Sequence, residues 1–252
     1  NRHSRSHFFV KNNPTTGTNI RPTKEAFTET NRMDFQTYLN WKKTFAEDHN
    51  IDVVAGYDYM KDKNNSIDAR VQGAASDKIP TLNVGTSNIT NYPTSTRTDE
   101  VLISYFGRVN YNFREKCLLS FTMRADGSSK FAAGNRWGYF PAASAGWIVD
   151  EEAFWPRNKV VSSLKLRASY GLTGNNGIGL YDTYGSYNSA YQYNGMSTTT
   201  TGEMPNSNLT WESTTQVNAG LDMGLADGRV RVSFDYYDKV TRILLFDVTL
   251  PN

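Results

Sequence analysis

Five tyrosines, Tyr181, Tyr184, Tyr187, Tyr191 and Tyr193, crowd into one stretch and alternate with Asn188, Gln192 and Asn194. Phenol rings can stack on sugar rings or grip a peptide while neighbouring amides hydrogen-bond it. These five are the candidate ligand-contact residues. The competing use for the same rings is an interfacial girdle, where one end of the ring is apolar and the other wet. Other constellations point to no chemistry. Residues 171–179 (GLTGNNGIG) lack the Gly-Lys-Ser/Thr of a phosphate cradle, and no amphipathic helix follows, so they read as a strand-to-loop bend. His3 and His7 would share a metal only on a helix, and Ser4, Ser6, Phe8, Phe9 and Val10 read as strand or loop. His49 follows Glu47 and Asp48 in what reads as a solvated turn. Asp150, Glu151 and Glu152 are contiguous, and nothing sets two carboxyls across a cleft. There is no Gly-x-Ser-x-Gly elbow, and the three histidines offer no Ser/His/Asp arrangement. The single Cys117 excludes an intramolecular disulfide framework and a cysteine zinc cluster. We therefore expect no catalytic residue, no metal site and no cofactor.

The elements that must carry the tyrosines follow from periodicity. Apolar and polar residues alternate by two in segment after segment, and a sustained 3.6-residue pattern is absent, so the chain reads as all-β. Residues 35–45 and 51–59 form one hairpin and residues 101–113 and 117–126 a second. Residues 137–149 and 164–173 form a third pair, and 211–223 and 230–236 a fourth. That makes about eight strands. Between the pairs run long polar segments, 61–100 and 174–207, whereas most turns within pairs are short.

Strands of roughly ten alternating residues, short turns at one end and long loops at the other, are the pattern of a transmembrane β-barrel. In hydrocarbon every backbone N–H and C=O needs an internal partner, so strands span only within a closed barrel. A mean hydropathy of −0.58 suits such a wall as well as it suits a soluble protein, because only one strand face meets lipid. No apolar run approaches the roughly 18 residues of a spanning helix. A balance of 27 basic against 25 acidic residues does not advertise nucleic acid. The apolar faces carry Tyr57, Tyr59, Tyr105, Tyr111, Phe113, Trp137, Tyr139, Trp147 and Trp211 where aromatic girdles are expected. Parity puts Arg108, Arg124, Lys165, Arg167 and Glu212 on the opposite face, as a polar lumen wall.

Several stretches say more. Residues 124–131 (RADGSSKF) followed by 137–147 (WGYFPAASAGW) resemble the "RaDGSSrF … wgyFPSvSagW" stretch of SusC/RagA TonB-dependent outer-membrane transporters. Residues 150–154 (DEEAF), 164–177 (LKLRASYGLTGNNG), 206–212 (NSNLTWE) and 218–222 (NAGLD) continue the likeness in order and spacing. Residues 45–59 are similar to a hairpin of the same family, less distinctly. The resemblance implies a 22-stranded barrel with an N-terminal plug, a SusD-like surface lipoprotein as lid, and energy delivered through TonB. It implies that residues 1–252 are an internal piece of the barrel domain, with plug and C-terminal strands outside it. The function it implies is active import of oligosaccharides or peptides across the outer membrane of a Gram-negative, Bacteroidetes-like cell, with no chemistry on the substrate. The expected partners are the lipoprotein, the TonB complex, outer-membrane lipid and the glycan or peptide, with no nucleic acid. On this view the tyrosine loop meets substrate or lid. The alternative from another class is a secreted soluble β-sandwich that binds glycans, with the apolar faces forming an internal core.

Overall fold

The computed structural model describes residues 2–9, 23–73, 76, 78–79, 81–84, 93–156 and 160–245. Eleven strands are present among them: β1 (Arg2–Phe9), β2 (Thr23–Phe45), β3 (His49–Val71), β4 (Thr94–Phe113), β5 (Cys117–Ser128), β6 (Trp137–Ile148), β7 (Val161–Asn175), β8 (Tyr187–Tyr193), β9 (Met196–Thr201), β10 (Glu212–Leu225) and β11 (Val230–Arg242). Nine of them form one antiparallel sheet in the order β1-β2-β3-β4-β5-β6-β7-β10-β11, and β8 and β9 form a separate two-stranded sheet. No described helix is long and apolar enough to cross a membrane. All four expected hairpin pairs are present. The tight turns that close three of them place non-glycine residues in the left-handed region, at Ala46 and Glu47 (φ 47° and 63°), Arg114 and Glu115 (51° and 59°), and Ala226 and Asp227 (53° and 57°). That conformation matches the right-handed twist of the flanking strands.

The structure differs from the sequence reading in two segments, and it forms a strand at residues 2–9, which the sequence reads as strand or loop. The segments expected as loops at 61–100 and 174–207 contain strand: β3 runs on to Val71, β4 begins at Thr94, and β8 and β9 lie within the second segment. β1 joins the edge of the sheet through Arg2↔Thr30 to Phe9↔Thr23. The reason is that the extensions of β3 and β4, and β9, carry polar residues on both faces, so the apolar alternation that reveals a half-buried strand is missing there.

By contact the chain divides into two compact units, Asn1–Asp34 with Met60–Val101, and Phe35–Tyr59 with Leu102–Asn252. The first unit is held by cross-strand charge and polar pairs. Arg32 Nε donates to Asp62 Oδ1 at 2.7 Å, Lys24 Nζ lies 2.7 Å from Asp68 Oδ2, Arg5 pairs with Glu25, and Thr30 donates to Asn64 at 3.1 Å.

The second unit has one apolar and one polar face. Register sets Val109 opposite Phe121, Phe121 opposite Ala143, Ala143 opposite Tyr170 and Tyr170 opposite Val217. On this face Phe121, Tyr170 and Val217 remain 52%, 49% and 45% exposed. The opposite face runs Asn110, Ser120, Ser144, Ser169, Asn218 across the same strands. Ser120 donates to Asn110 at 2.7 Å and Asn218 to Ser169 at 3.0 Å. Buried hydrophobic residues among those described are few: Phe131, Phe140, Val149 and Trp211. This sheet does not build its core by covering its apolar face.

Candidate ligand-contact region

The loop ends of β5, β6, β7 and β10 are tied into one knot. Phe131, Phe140 and Trp211 pack together with ring centroids 5.3 Å apart in both pairs, bordered by Leu102, Leu172, Ile178 and Leu209. Trp211 Nε1 donates to the Arg136 carbonyl at 2.9 Å, and Arg136 Nε donates to the Phe131 carbonyl at 3.2 Å. The buried Ser128 hydroxyl accepts from Asn176 Nδ2 at 3.2 Å, and Lys130 Nζ reaches the Asn176 carbonyl at 3.4 Å. Two glycines make room for the knot. A Cβ at Gly174 would stand 2.0 Å from the Phe140 ring and one at Gly138 would stand 2.4 Å from it, so the ring lies against bare backbone.

Trp211 is thereby a correction to the girdle expected from sequence. It sits one residue before β10, turns into the knot and is 8% exposed, because its indole N–H finds a carbonyl there. Tyr105, Trp137, Tyr139 and Trp147 do lie exposed on the sheet, as a girdle requires.

The tyrosine segment is anchored to the same knot. Thr183, buried, donates to the Lys130 carbonyl at 3.0 Å, and the Asp182 carboxylate accepts from the Gly179 N–H at 2.6 Å. Tyr181 and Tyr184 share the turn, where the Tyr184 N–H donates to the Tyr181 carbonyl at 2.8 Å. The Tyr184 hydroxyl accepts from Arg136 at 3.3 Å. Tyr187 and Tyr193 lie on β8 and are 77% and 76% exposed. Tyr191 pairs with Thr198 along the backbone, and its side chain lies outside the described residues. The five candidates thus form two groups, a pair in an anchored turn and the rest on an exposed hairpin. The hairpin escaped the periodicity reading, although Asn194-Gly195 between Tyr193 and Met196 is the turn dipeptide that marks one.

The polar sheet face carries most of the charge. Arg167 donates from Nε to Asp222 at 2.7 Å and from Nη2 to Asp235 at 2.9 Å, while Ser233 donates to Asp222 at 2.8 Å. Arg124 pairs with Asp126 at 2.7 Å and donates to Ser104 at 2.8 Å. Register places Arg108 opposite Thr122, two residues from Arg124 along the same face, so the parity assignment of these arginines holds within the sheet. A recess of about 750 Å³ opens on this unit, lined by Asn110, Ser120, Ser144, Arg167, Asn218 and Asp235 among others. Ile51, Leu118, Leu119 and Ala168 line it as well, so its wall is mixed rather than polar. Among the described residues no group of His, Cys, Asp and Glu is arranged to hold a metal.

The family model described as TonB dependent receptor-like, beta-barrel, matches residues 1–252. The chain is 36% identical over 223 residues to TonB-dependent receptor P3 of Formosa agariphila, covering 86% of this chain and 22% of that one. It is 42% identical over 165 residues to TonB-dependent receptor SusC of Bacteroides thetaiotaomicron, covering 63% of this chain and 16% of that one. Among solved structures, one of the RagAB peptide transporter superposes with a TM-score of 0.89 at 26% identity, over 99% of this chain and 28% of the other. The chain spans about a fifth of the length of the curated relatives it matches.

Proposed function

Because the chain belongs to the TonB-dependent receptor β-barrel family, we propose that it forms part of the wall and outer loops of an outer-membrane importer energised through TonB. The cargo is an oligosaccharide or a peptide, and no bond in it is made or broken. The strands of the second unit cross the bilayer with Val109, Phe121, Tyr170, Val217 and Phe234 toward lipid. Arg108, Arg124, Lys165, Arg167 and Glu212 face the lumen. The tyrosine segment meets substrate or a surface lipoprotein that lids the barrel, and the plug and the TonB contact belong to other parts of the whole protein. The edge strand β11 needs a further strand beside it at membrane depth, where unpaired backbone is costly, so we place this sheet within a larger barrel.

One observation carries the membrane part of this reading: the sheet leaves large apolar side chains exposed in a continuous band, while its opposite face carries hydrogen-bonded polar and charged pairs. Soluble proteins rarely expose so extensive an apolar surface. A β-sandwich would place Phe121 and Phe234 in its core, yet they are 52% and 65% exposed.

The test uses the full-length protein with Cys117 replaced by Ala and single cysteines introduced by Phe121→Cys and Ser120→Cys. A fluorophore at 121 should be quenched strongly by lipids labelled in their acyl chains, and one at 120 weakly. Equal quenching, or recovery of the protein from the buffer-soluble fraction without detergent, would overturn the reading.

A further inference from the structure

The hairpin of β8 and β9 pairs only with itself among the described residues. Its loop residues Asn194 and Gly195 have φ of 50° and 77°, the handedness of a two-residue hairpin turn. Tyr193 and Met196 flank that loop as partners, so they form the hydrogen-bonded pair nearest the turn. Alternation then fixes the rest of β9. Met196, Thr198 and Thr200 direct their backbone groups toward β8, whereas Ser197, Thr199 and Thr201 direct an N–H and a C=O away from it. The register irregularity of the hairpin lies where β8 carries one extra residue, between Asn188 and Tyr191, so β9 keeps an even outer edge.

Natural sheets protect such edges with charge, proline or bulges. β1, at the edge of the large sheet, carries Arg2 and Arg5. β9 is Met-Ser-Thr-Thr-Thr-Thr, and residues 183–202 contain no charged residue and no proline. An even, uncharged edge at the tip of an exposed, anchored loop is a template for another strand.

We propose that the outer edge of β9 binds an extended peptide by strand addition, which makes the cargo recognised here polypeptide rather than glycan. The inference rests on the importer reading above and specifies its substrate class. The edge repeats a donor and an acceptor at every second residue, about 6.8 Å apart. An extended peptide matches that repeat residue for residue, and sugar hydroxyls do not. Backbone bonds supply affinity without reading sequence, and the lack of charge leaves peptides of either sign acceptable. The exposed Tyr187 and Tyr193 rings add side-chain contact near the ends of the hairpin strand beside it.

The test measures binding of a fluorescent ten-residue peptide to the full-length protein in detergent. Thr199→Pro removes one outward N–H without removing a rung of the hairpin. It should weaken binding at least about tenfold, the worth of one to two hydrogen bonds, while Thr199→Ala leaves it unchanged. A second arm uses the unaltered protein and does not depend on how the proline variant folds. Peptides N-methylated at alternate amides should bind at least about tenfold more weakly in one parity than in the other. Equal binding in both parities, or Thr199→Pro binding as Thr199→Ala does, overturns strand addition. Binding of a maltooligosaccharide in place of peptide overturns the substrate class and leaves the importer standing. The importer fails separately, by the lipid-quenching and fractionation results described above.

Discussion

The knot around Phe131 and the strand extensions at residues 23–34 and 60–71 both order chain outside the apolar band, and they do it by different physics. The knot packs Phe131, Phe140 and Trp211 out of water and ties the surrounding loops to backbone carbonyls. The extensions bury no large apolar side chain among their described residues and rely on Arg32–Asp62, Lys24–Asp68 and Arg5–Glu25 across strands. Close packing requires particular residues at particular positions. Cross-strand charge requires only opposite signs in register and contributes less per pair. One region should therefore fail abruptly on a single substitution and the other should weaken gradually.

The sharpest break is Phe131→Ala. Phe131 is fully buried, and removing such a ring from a packed site costs about 3–5 kcal/mol. The expected outcome is a lowered melting temperature of the full-length protein and new proteolysis within residues 127–136 and 176–186. Cleavage unchanged there would mean the knot does not hold the loops. Next comes Gly174→Ala, where the added methyl meets the Phe140 ring at 2.0 Å. Overpacking of this kind costs about 1–3 kcal/mol. Combining it with Phe140→Leu should recover part of the loss in a double-mutant cycle, and additive losses would show that the ring is not the obstacle. Trp211→Phe keeps most of the ring packing and deletes the N–H that reaches the Arg136 carbonyl, for a smaller loss of about 1 kcal/mol. Tryptophan fluorescence cannot follow that variant cleanly, so calorimetry is the measurement.

The same contrast explains what could be read without coordinates. Each half of the knot lies in a stretch with a strong signature, RADGSSKF and WGYFP on one side, GLTGNNG and NLTWE on the other. The motifs are recognisable because the packing is specific: Gly138 and Gly174 admit a ring that no other residue would admit. The strands crossing the apolar band were legible from alternation, since one face of each is apolar and the other polar. The extensions of β2, β3 and β4 were not, because a strand wet on both faces leaves no period in hydropathy, and Arg32 with Asp62 are 30 residues apart in sequence. Parity alone places Trp211 in the girdle, because it says nothing about a residue just outside its strand. The tyrosines were visible as a group, but their division between an anchored turn and a hairpin depends on Thr183 and on Asn194-Gly195, local signals that hydropathy does not weigh.

The smallest expected effect isolates the charged region by pH. Hydrogen bonding from Arg32 holds the Asp62 carboxyl below the usual aspartate range, with the guanidinium charge adding to it and partial burial opposing. Asp68 is lowered in the same way, first by Arg70 and then by Lys24. A carboxyl depressed in the folded state stabilises fully above its unfolded value of about 3.9, and that contribution disappears as pH falls through the lower folded value. Hydrogen-exchange protection of residues 28–34 and 60–66, corrected for intrinsic rates, should therefore hold from about pH 8 to pH 5 and decline below about pH 4. Outside the Asp182 contact of the tyrosine turn, the hydrogen bonds around Ser128, Phe131 and Trp211 use no carboxylate, so protection of residues 128–136 should stay level over the same range. Asp62→Asn should remove part of the acid-dependent decline in the first unit, and added salt should mimic it weakly at neutral pH because exposed pairs are screened. An equal decline of both regions would mean that acid acts on the whole protein, and the distinction between packed knot and charged extension would collapse.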